Sequence, residues 1–168
     1  MDVQCIVFSS GYPMSGDVLE AYLQLYVRAF PGHTVEEIRA QTGHEIARGD
    51  RFILLFSTTL LGFVTWELHG GSDNRLAELE HIATDPHNPE ARGLGRQLIE
   101  ILELHVHDFY RRFGQPGARK IWLLTHENNT RAQNLYLRCG FKHTATLLDF
   151  WHDGVNEFYF EKNYPDEV

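Results

Sequence analysis

Apolar residues recur along this 168-residue chain at spacings that change from one segment to the next. Residues 16–32 and 34–50 have apolar side chains at intervals of three and four, which predicts two helices. The same period persists from Gly93 to Phe113 and predicts a longer helix. Its apolar stripe comprises Leu94, Leu98, Leu102, Val106, Phe109 and Phe113. A short helix is predicted from residue 129 to Gly140, since glycine commonly ends a helix.

Polar residues mark where the first two helices begin. We expect Asp17 to cap the first one. Thr34, with Glu37 three residues later, predicts a capping box at the start of the second, in which each residue satisfies a backbone N–H near the other.

The remaining apolar runs are rich in β-branched and aromatic residues and predict seven strands. These runs are residues 3–10, 51–57, 60–70, 75–85, 119–125, 141–151 and 155–163. Two threonines separate the second and third strands, which predicts a hairpin. The last two strands flank an Asp-Gly turn and predict another. The continuous apolar run at 119–125 predicts burial on both faces. This order of elements predicts an α/β fold in one domain, residues 1–168.

Composition excludes several classes of protein. The chain is 43% hydrophobic and its net charge is −8, which disfavours binding to a nucleic-acid backbone. No apolar run approaches the roughly 18 residues that would span a membrane. Residues 1–10 lack the basic region and cleavage site of a signal peptide, and Cys5 and Cys139 make no disulfide framework, so we expect a cytoplasmic protein. The ten histidines have no ligand spacing, so we expect no metal site.

Two glycines, Gly93 and Gly95, stand at the start of the long helix. A helix N-terminus has N–H groups without acceptors and the positive end of the peptide dipoles, so this turn is a candidate anion cradle. The third glycine of a dinucleotide fingerprint is missing, and no nucleotide P-loop motif occurs. Taken alone, the glycines are equally compatible with a tightly packed turn.

A second motif follows the glycine turn about 30 residues later, after the predicted long helix. It has the form NxxAxxLYxxxGF and comprises Asn129, Ala132, Leu135, Tyr136, Gly140 and Phe141. Together with residues 90–95 it resembles the GNAT superfamily of N-acetyltransferases. The resemblance covers nearly the whole chain. It implies a central mixed, mostly antiparallel seven-stranded sheet flanked by about four helices. Glu90 departs from the family pattern, which has glutamine or arginine at the first place of the turn.

The resemblance implies that the anion is the pyrophosphate of acetyl-CoA, held by the amides of residues 92–96. Arg92 and Arg96 would add charge-assisted contacts. The strand before the turn would pair with the pantetheine arm, and an asparagine of the second motif would help to hold it. The implied cofactor-binding residues are Ile82, Ala83, Thr84, Arg92, Gly93, Leu94, Gly95, Arg96 and Asn129.

Acetyl transfer to an amine needs an acid for the departing thiolate and a base for the amine. The resemblance implies Tyr136 as the acid. It implies Glu80 as the base, with Glu78 as a similar strand glutamate two residues away. His126, at the end of the next strand, and a water molecule are alternative bases. We interpret His81 as structural.

The implied activity is direct acetyl transfer to a primary amine, with a small cationic amine (polyamine, aminoglycoside or amino acid) as the first choice. Alternatives are a protein N-terminus or lysine, a non-catalytic acetyl-CoA-sensing module, O-acyl transfer and a longer acyl donor. We expect Trp66 and the turn at residues 30–34 to lie beside the acceptor. The final hairpin offers a sheet edge for a homodimer.

Overall fold

The computed structural model of this chain describes residues 3–9 and 14–165. Within these residues it has seven strands, four α-helices and one short 3₁₀ turn. In chain order they are β1 (Gln4–Phe8), α1 (Gly16–Ala29), α2 (Val35–Arg48), β2 (Arg51–Phe56), β3 (Leu60–His69), β4 (Leu76–Thr84), the 3₁₀ turn (Pro89–Ala91), α3 (Leu94–Arg112), β5 (Lys120–His126), α4 (Thr130–Arg138), β6 (Lys142–His152) and β7 (Val155–Asn163). No helix in the described part of the chain is long and apolar enough to cross a membrane.

The strands form one mixed sheet in the order β1-β2-β3-β4-β5-β7-β6. The pairs β1–β2, β2–β3, β5–β7 and β6–β7 are antiparallel, and β4–β5 is parallel. The parallel ladder runs only from Leu76–Lys120 to Glu78–Trp122, although β4 continues to Thr84. The mixed seven-stranded sheet with four helices confirms the fold class that the sequence predicts.

The chain divides into two compact units. Unit 1 comprises the chain up to Glu67 together with His81–Leu98, and unit 2 comprises Leu68–Glu80 together with the chain from Ile99. The expectation of one domain over residues 1–168 stays a prediction.

Unit 1 has an aromatic core between α1 and the strands β2 and β3. Tyr22 is fully buried, with its ring centroid 4.7 Å from that of Phe63 and 5.5 Å from that of Phe52. Burying each such ring stabilises the fold by about 1.5–3 kcal/mol. This core fixes α1 on the sheet.

The capping box of α2 is confirmed. The Thr34 hydroxyl accepts the Glu37 N–H at 3.2 Å, and the Glu37 carboxylate accepts the Thr34 N–H at 2.8 Å. The expectation for α1 is wrong, because Ser15 occupies the N-cap and Asp17 lies within the first turn. A carboxylate in that position still complements the helix dipole.

In unit 2, α3 buries Leu102 and Val106 as the periodicity predicts, but Phe113 lies beyond the helix and is 59% exposed. Tyr110 is the buried aromatic residue at this end, and its hydroxyl donates to the Leu76 carbonyl at 2.5 Å. Burial of β5 on both faces is also wrong. Its side chains alternate between buried and half-buried along the strand, so one face is better covered than the other.

Candidate active site

The glycine-rich turn of unit 1 connects the 3₁₀ turn to α3. Gly93 adopts φ +82°, a left-handed conformation that costs other residues roughly 1–2 kcal/mol. Apart from its chain neighbours, no atom lies within 4 Å of the place where a Cβ would stand. Backbone conformation rather than crowding therefore requires glycine at this position.

The N–H groups of this turn are the anion donors that the sequence predicts. The Arg92 N–H donates to the Pro89 carbonyl at 3.3 Å, so this amide already has an acceptor. Among the described residues, no carbonyl in a turn or loop accepts the N–H groups of Gly93, Leu94 or Gly95. These three groups belong to the open end of α3, where a helix has no acceptors of its own. The binding of an anion by residues 92–96 stays a prediction, and within it the Arg92 N–H is the one amide with an acceptor in the turn.

Side chains outside the turn hold it in place. The Asn88 side chain accepts the Glu90 N–H at 2.9 Å, and the Glu90 carboxylate accepts the Ser57 hydroxyl proton at 2.9 Å. Glu90, which departs from the family pattern, therefore ties the turn to the loop between β2 and β3. The sequence contains no signal for this contact, because it joins residues 33 positions apart.

The end of β4 packs closely against β3. A Cβ on Gly62 would lie 2.8 Å from the Ala83 carbonyl oxygen and 3.3 Å from the Thr84 side-chain methyl. It would also lie 3.1 Å from Leu98 of α3. Gly62 therefore sets the spacing between α3 and the segment that the sequence predicts to bind pantetheine.

His81, next to Glu80 on β4, lies among aromatic rings of α1. Its ring centroid is 5.3 Å from that of Tyr26 and 6.1 Å from that of Phe30. Desolvation by burial lowers the pKa of His81 to about 4, so the ring is neutral at pH 7. Glu80 itself is half-buried, and one of its carboxylate oxygens is shielded from solvent.

A buried acidic group lies at the end of α2. The Arg48 guanidinium donates to both oxygens of Asp50, at 2.6 and 2.9 Å, and lies 2.8 Å from Glu67. Glu45 is 5% exposed, and burial raises the pKa of its carboxyl group. A Glu45 carboxylate oxygen lies within 4.8 Å of a His81 ring nitrogen. The sequence analysis did not single out this group, since its members are scattered over three elements.

Trp66 is fully buried, with the Arg51 guanidinium carbon 4.7 Å from its ring. It is a core residue, and its place beside the acceptor stays a prediction. The turn at residues 30–34 is exposed except for Phe30, whose ring lies 4.7 Å from that of Tyr26.

Unit 2 contains the second motif. The Asn129 side chain accepts the Ala132 N–H at 3.2 Å, so this residue caps α4. Tyr136 is 5% exposed, and its ring centroid lies 5.9 Å from that of Phe160 and 6.1 Å from that of Phe141. Burial, with a smaller contribution from Cys139, raises the pKa of the Tyr136 phenol above its ordinary value of 10. The phenol therefore stays protonated at neutral pH.

His126 ends β5 and is paired across the ladder with Glu157 of β7. Its Nδ1 atom lies 2.6 Å from a Glu157 carboxylate oxygen. Glu157 is buried, which the sequence analysis did not foresee, because the register between β5 and β7 cannot be obtained from local patterns.

The structure distributes the predicted site residues between the units. Unit 1 contains Ile82, Ala83, Thr84 and the turn at residues 92–96, and Gly62 lies against Ala83, Thr84 and Leu98. Unit 2 contains Glu80, His126, Asn129 and Tyr136.

Comparison with known proteins decides what this arrangement represents. Residues 17–141 match the model of the acetyltransferase (GNAT) family. The chain belongs to the GNAT family. It is therefore an acyltransferase, as the two motifs imply.

Solved structures agree with the GNAT assignment at the level of the fold. An acetyltransferase of the GNAT family from Desulfovibrio desulfuricans is 19% identical with a TM-score of 0.69, and the match covers 95% of this chain and 99% of that one. A spermidine N-acetyltransferase from Vibrio cholerae, in complex with CoA and spermine, is 18% identical with a TM-score of 0.69, covering 95% of each chain. A ribosomal-protein alanine N-acetyltransferase from Escherichia coli is 18% identical with a TM-score of 0.66, covering 98% and 99%. A search of curated protein sequences finds no significant match.

Proposed function

We propose that this GNAT protein is an acetyl-CoA-dependent enzyme that transfers the acetyl group directly to a primary amine. The observation that carries the proposal is the Gly93 turn. Gly93 has a left-handed backbone, and no turn or loop carbonyl of the described residues accepts the first N–H groups of α3. Such an end binds the negative oxygens of a pyrophosphate without any further basic residue.

The residues around this turn have complementary roles in the proposal. The amides of Gly93, Leu94 and Gly95 bind the pyrophosphate, and the exposed side chains of Arg92 and Arg96 neutralise its charge. The backbone of Ile82, Ala83 and Thr84 pairs with the pantetheine arm. Support comes from the β4–β5 ladder, which ends at Glu78 and so does not include this segment of β4. Asn129 uses its oxygen to cap α4, which leaves its side-chain NH₂ to donate to pantetheine.

The transfer needs a neutral amine, because an ammonium ion has no lone pair. An amine with a pKa of about 10 loses its proton at pH 7 at a cost of roughly 4 kcal/mol. Tyr136 is the acid that protonates the departing thiolate, the role that the resemblance implies. Glu80 is the base that the resemblance implies, and His126 or a water molecule are the alternatives.

The acceptor in this proposal is a small cationic amine. The net charge of −8 favours a cation, although it does not separate a small amine from a protein N-terminus or a lysine. The fold resemblance to a spermidine N-acetyltransferase and to a ribosomal-protein acetyltransferase is consistent with either. A cytoplasmic location and a homodimer remain sequence-based predictions.

The proposal is tested by measuring thiol release from acetyl-CoA with a panel of polyamines, aminoglycosides, amino acids and short peptides. We expect release with at least one small amine, together with intersecting initial-velocity lines, as direct transfer through a ternary complex requires. Tyr136→Phe should lower kcat by about 100-fold with little change in acetyl-CoA affinity. The matched control is Tyr159→Phe, which changes a half-buried tyrosine of β7.

A sensor of acetyl-CoA would give a different result. It would bind acetyl-CoA in a calorimetric titration but release no thiol with any amine. Parallel initial-velocity lines would instead indicate an acetylated enzyme and exclude direct transfer.

A further inference from the structure

The end of β5 holds a histidine and a glutamate whose side chains face each other. His126 and Glu157 are directly paired in the antiparallel β5–β7 ladder. Nδ1 of His126 lies 2.6 Å from Oε1 of Glu157. The two groups differ in environment, since the His126 side chain is 47% exposed and that of Glu157 is 3% exposed. The buried Glu157 carboxylate therefore lies next to a histidine whose side chain is exposed to solvent.

The Glu157 carboxylate bears on which ring nitrogen of His126 carries the proton. Its Oε1 is fully buried and lies 2.6 Å from Nδ1 of His126, but no donor within residues 3–9 and 14–165 has the geometry of a hydrogen bond to it. A buried carboxylate oxygen without a donor would be costly, so Nδ1 of His126 is assigned as N–H. The neutral ring then has its lone pair on Nε2.

The backbone at this position is tied to the helix that carries Tyr136. The Gln133 side chain of α4 donates to the carbonyls of His126 and Glu127, at 3.0 and 2.8 Å. The Asn129 N–H also donates to the His126 carbonyl, at 3.0 Å. Gln133 precedes Tyr136 by three residues, which places both on neighbouring positions of one helix face. His126 and Tyr136 are therefore held by the same short helix within unit 2.

Contacts from β7 complete the support. The Glu127 N–H donates to the Asn156 carbonyl at 2.9 Å, and the Asn156 side chain donates to the Glu127 carboxylate at 2.9 Å. The strand end thus has partners on α4 and on β7. This rigidity is what a proton-transfer group needs, since its nitrogen must stay within hydrogen-bond distance of the proton.

We propose that Nε2 of His126 removes the proton from the acceptor amine, and that Glu157 is a positioning residue that fixes the tautomer and orientation of the ring. The inference rests on the proposed function and selects His126 in place of Glu80 or water. Glu157 acts only through His126 and does not touch the substrate.

The protons balance in the following sequence. The ammonium ion of the acceptor gives one proton to Nε2, and the resulting imidazolium is stabilised by the Glu157 carboxylate. The amine lone pair forms the C–N bond, and the C–S bond breaks with its electron pair on sulfur. The thiolate takes the Tyr136 proton. The nitrogen of the new amide still carries two protons, and it gives one of them to the Tyr136 phenolate. Nε2 of His126 releases its proton to solvent.

The first test is chemical rescue. His126→Ala should lower kcat by at least about 100-fold while acetyl-CoA affinity stays within twofold of the original. Added imidazole should restore turnover with saturation, which a loss of structure alone would not allow. The matched control is His152→Ala, which removes an exposed histidine whose ring centroid lies 6.5 Å from that of His126. Its kcat should be unchanged.

The second test addresses Glu157. Glu157→Gln removes the negative charge that stabilises the imidazolium, so kcat should fall by about tenfold or more with the KM for acetyl-CoA unchanged. Glu161→Gln is the control. Glu161 lies on the same strand, but it pairs with Lys120 and not with His126. Its kcat should stay within twofold.

Nitrogen NMR of the unmodified protein gives a readout that needs no variant and no activity. We expect the neutral His126 ring to carry its proton on Nδ1. A ring protonated on Nε2, or full activity of His126→Ala, would overturn the inference. Neither outcome affects the proposed function, which fails if the unmodified protein releases no thiol or gives parallel initial-velocity lines.

Discussion

Thr65 contacts His81 twice, at the place where the predicted active-site segment of β4 begins. Its hydroxyl oxygen accepts the His81 backbone N–H at 3.1 Å and lies 3.2 Å from the ring Nδ1. Since the oxygen accepts the amide proton, its own proton is directed to Nδ1. The neutral His81 ring is then assigned as protonated on Nε2.

The low pKa of His81 predicts a loss of stability in acid. The folded-state pKa is about 4 and the ordinary value is 6.5, so the unfolded chain binds the proton more tightly. The free energy of unfolding should therefore fall as pH decreases from about 6.5 to about 4, by up to about 3 kcal/mol from this residue. Urea unfolding across this range measures the effect. His81→Gln should flatten the slope, and an unchanged slope in that variant would contradict the assignment.

Glu45 predicts the opposite dependence on pH. Burial raises its pKa above 4.5, so the folded state favours the protonated carboxyl group, and this stabilisation is lost as pH rises through the folded pKa. Glu45→Gln should therefore increase the free energy of unfolding at pH 7 by on the order of 1 kcal/mol, and the gain should vanish below about pH 4. Glu36→Gln, an exposed change on the same helix, is the control and should give no such gain. Destabilisation by Glu45→Gln at pH 7 would show that the charged carboxylate is needed.

The close approach at Gly62 predicts that a methyl group cannot be added there. Gly62→Ala should destabilise the protein by about 1–3 kcal/mol, because the Ala83 carbonyl would have to move. Thermal unfolding and acetyl-CoA titration measure the two consequences, and we expect both stability and affinity to fall. Gly43→Ala is the control within the α2 helix, because no atom lies within 4 Å of a Cβ at that position. It should stabilise the protein, since alanine favours a helix over glycine by roughly 0.5–1 kcal/mol. Equal effects at the two positions would contradict the packing argument.

The left-handed turn at Gly93 predicts a selective effect on cofactor binding. Gly93→Ala should reduce acetyl-CoA affinity by about tenfold, since relief of roughly 1–2 kcal/mol of backbone strain would redirect the N–H groups of the turn. The control is Gly49→Ala, which places the same strain at φ +101° in an equally open position at the end of α2. Both variants should lose similar stability in a thermal melt. Isothermal titration should show weaker binding only for Gly93→Ala.

Much of the fold could be predicted because its signals lie within single elements. The Thr34–Glu37 capping box and the Asp-Gly turn between β6 and β7 involve residues at most three apart, and both are present in the structure. Predictions failed where a second element decides the outcome. Phe113 fits the apolar stripe of α3, but the helix ends before it and Tyr110 is buried instead.

The sequence by itself determined the family, because the glycine turn and the Asn129–Tyr136 motif are short patterns with fixed internal spacing. It also determined the helical or extended character of each segment, since backbone preference and hydrophobic period act over a few residues. Only the tertiary structure decided that Glu157 faces His126, that Thr65 holds His81 and that Gly62 meets Ala83. Each of these contacts joins strands that are distant in the chain. Their register depends on the packing of the whole sheet rather than on any local preference.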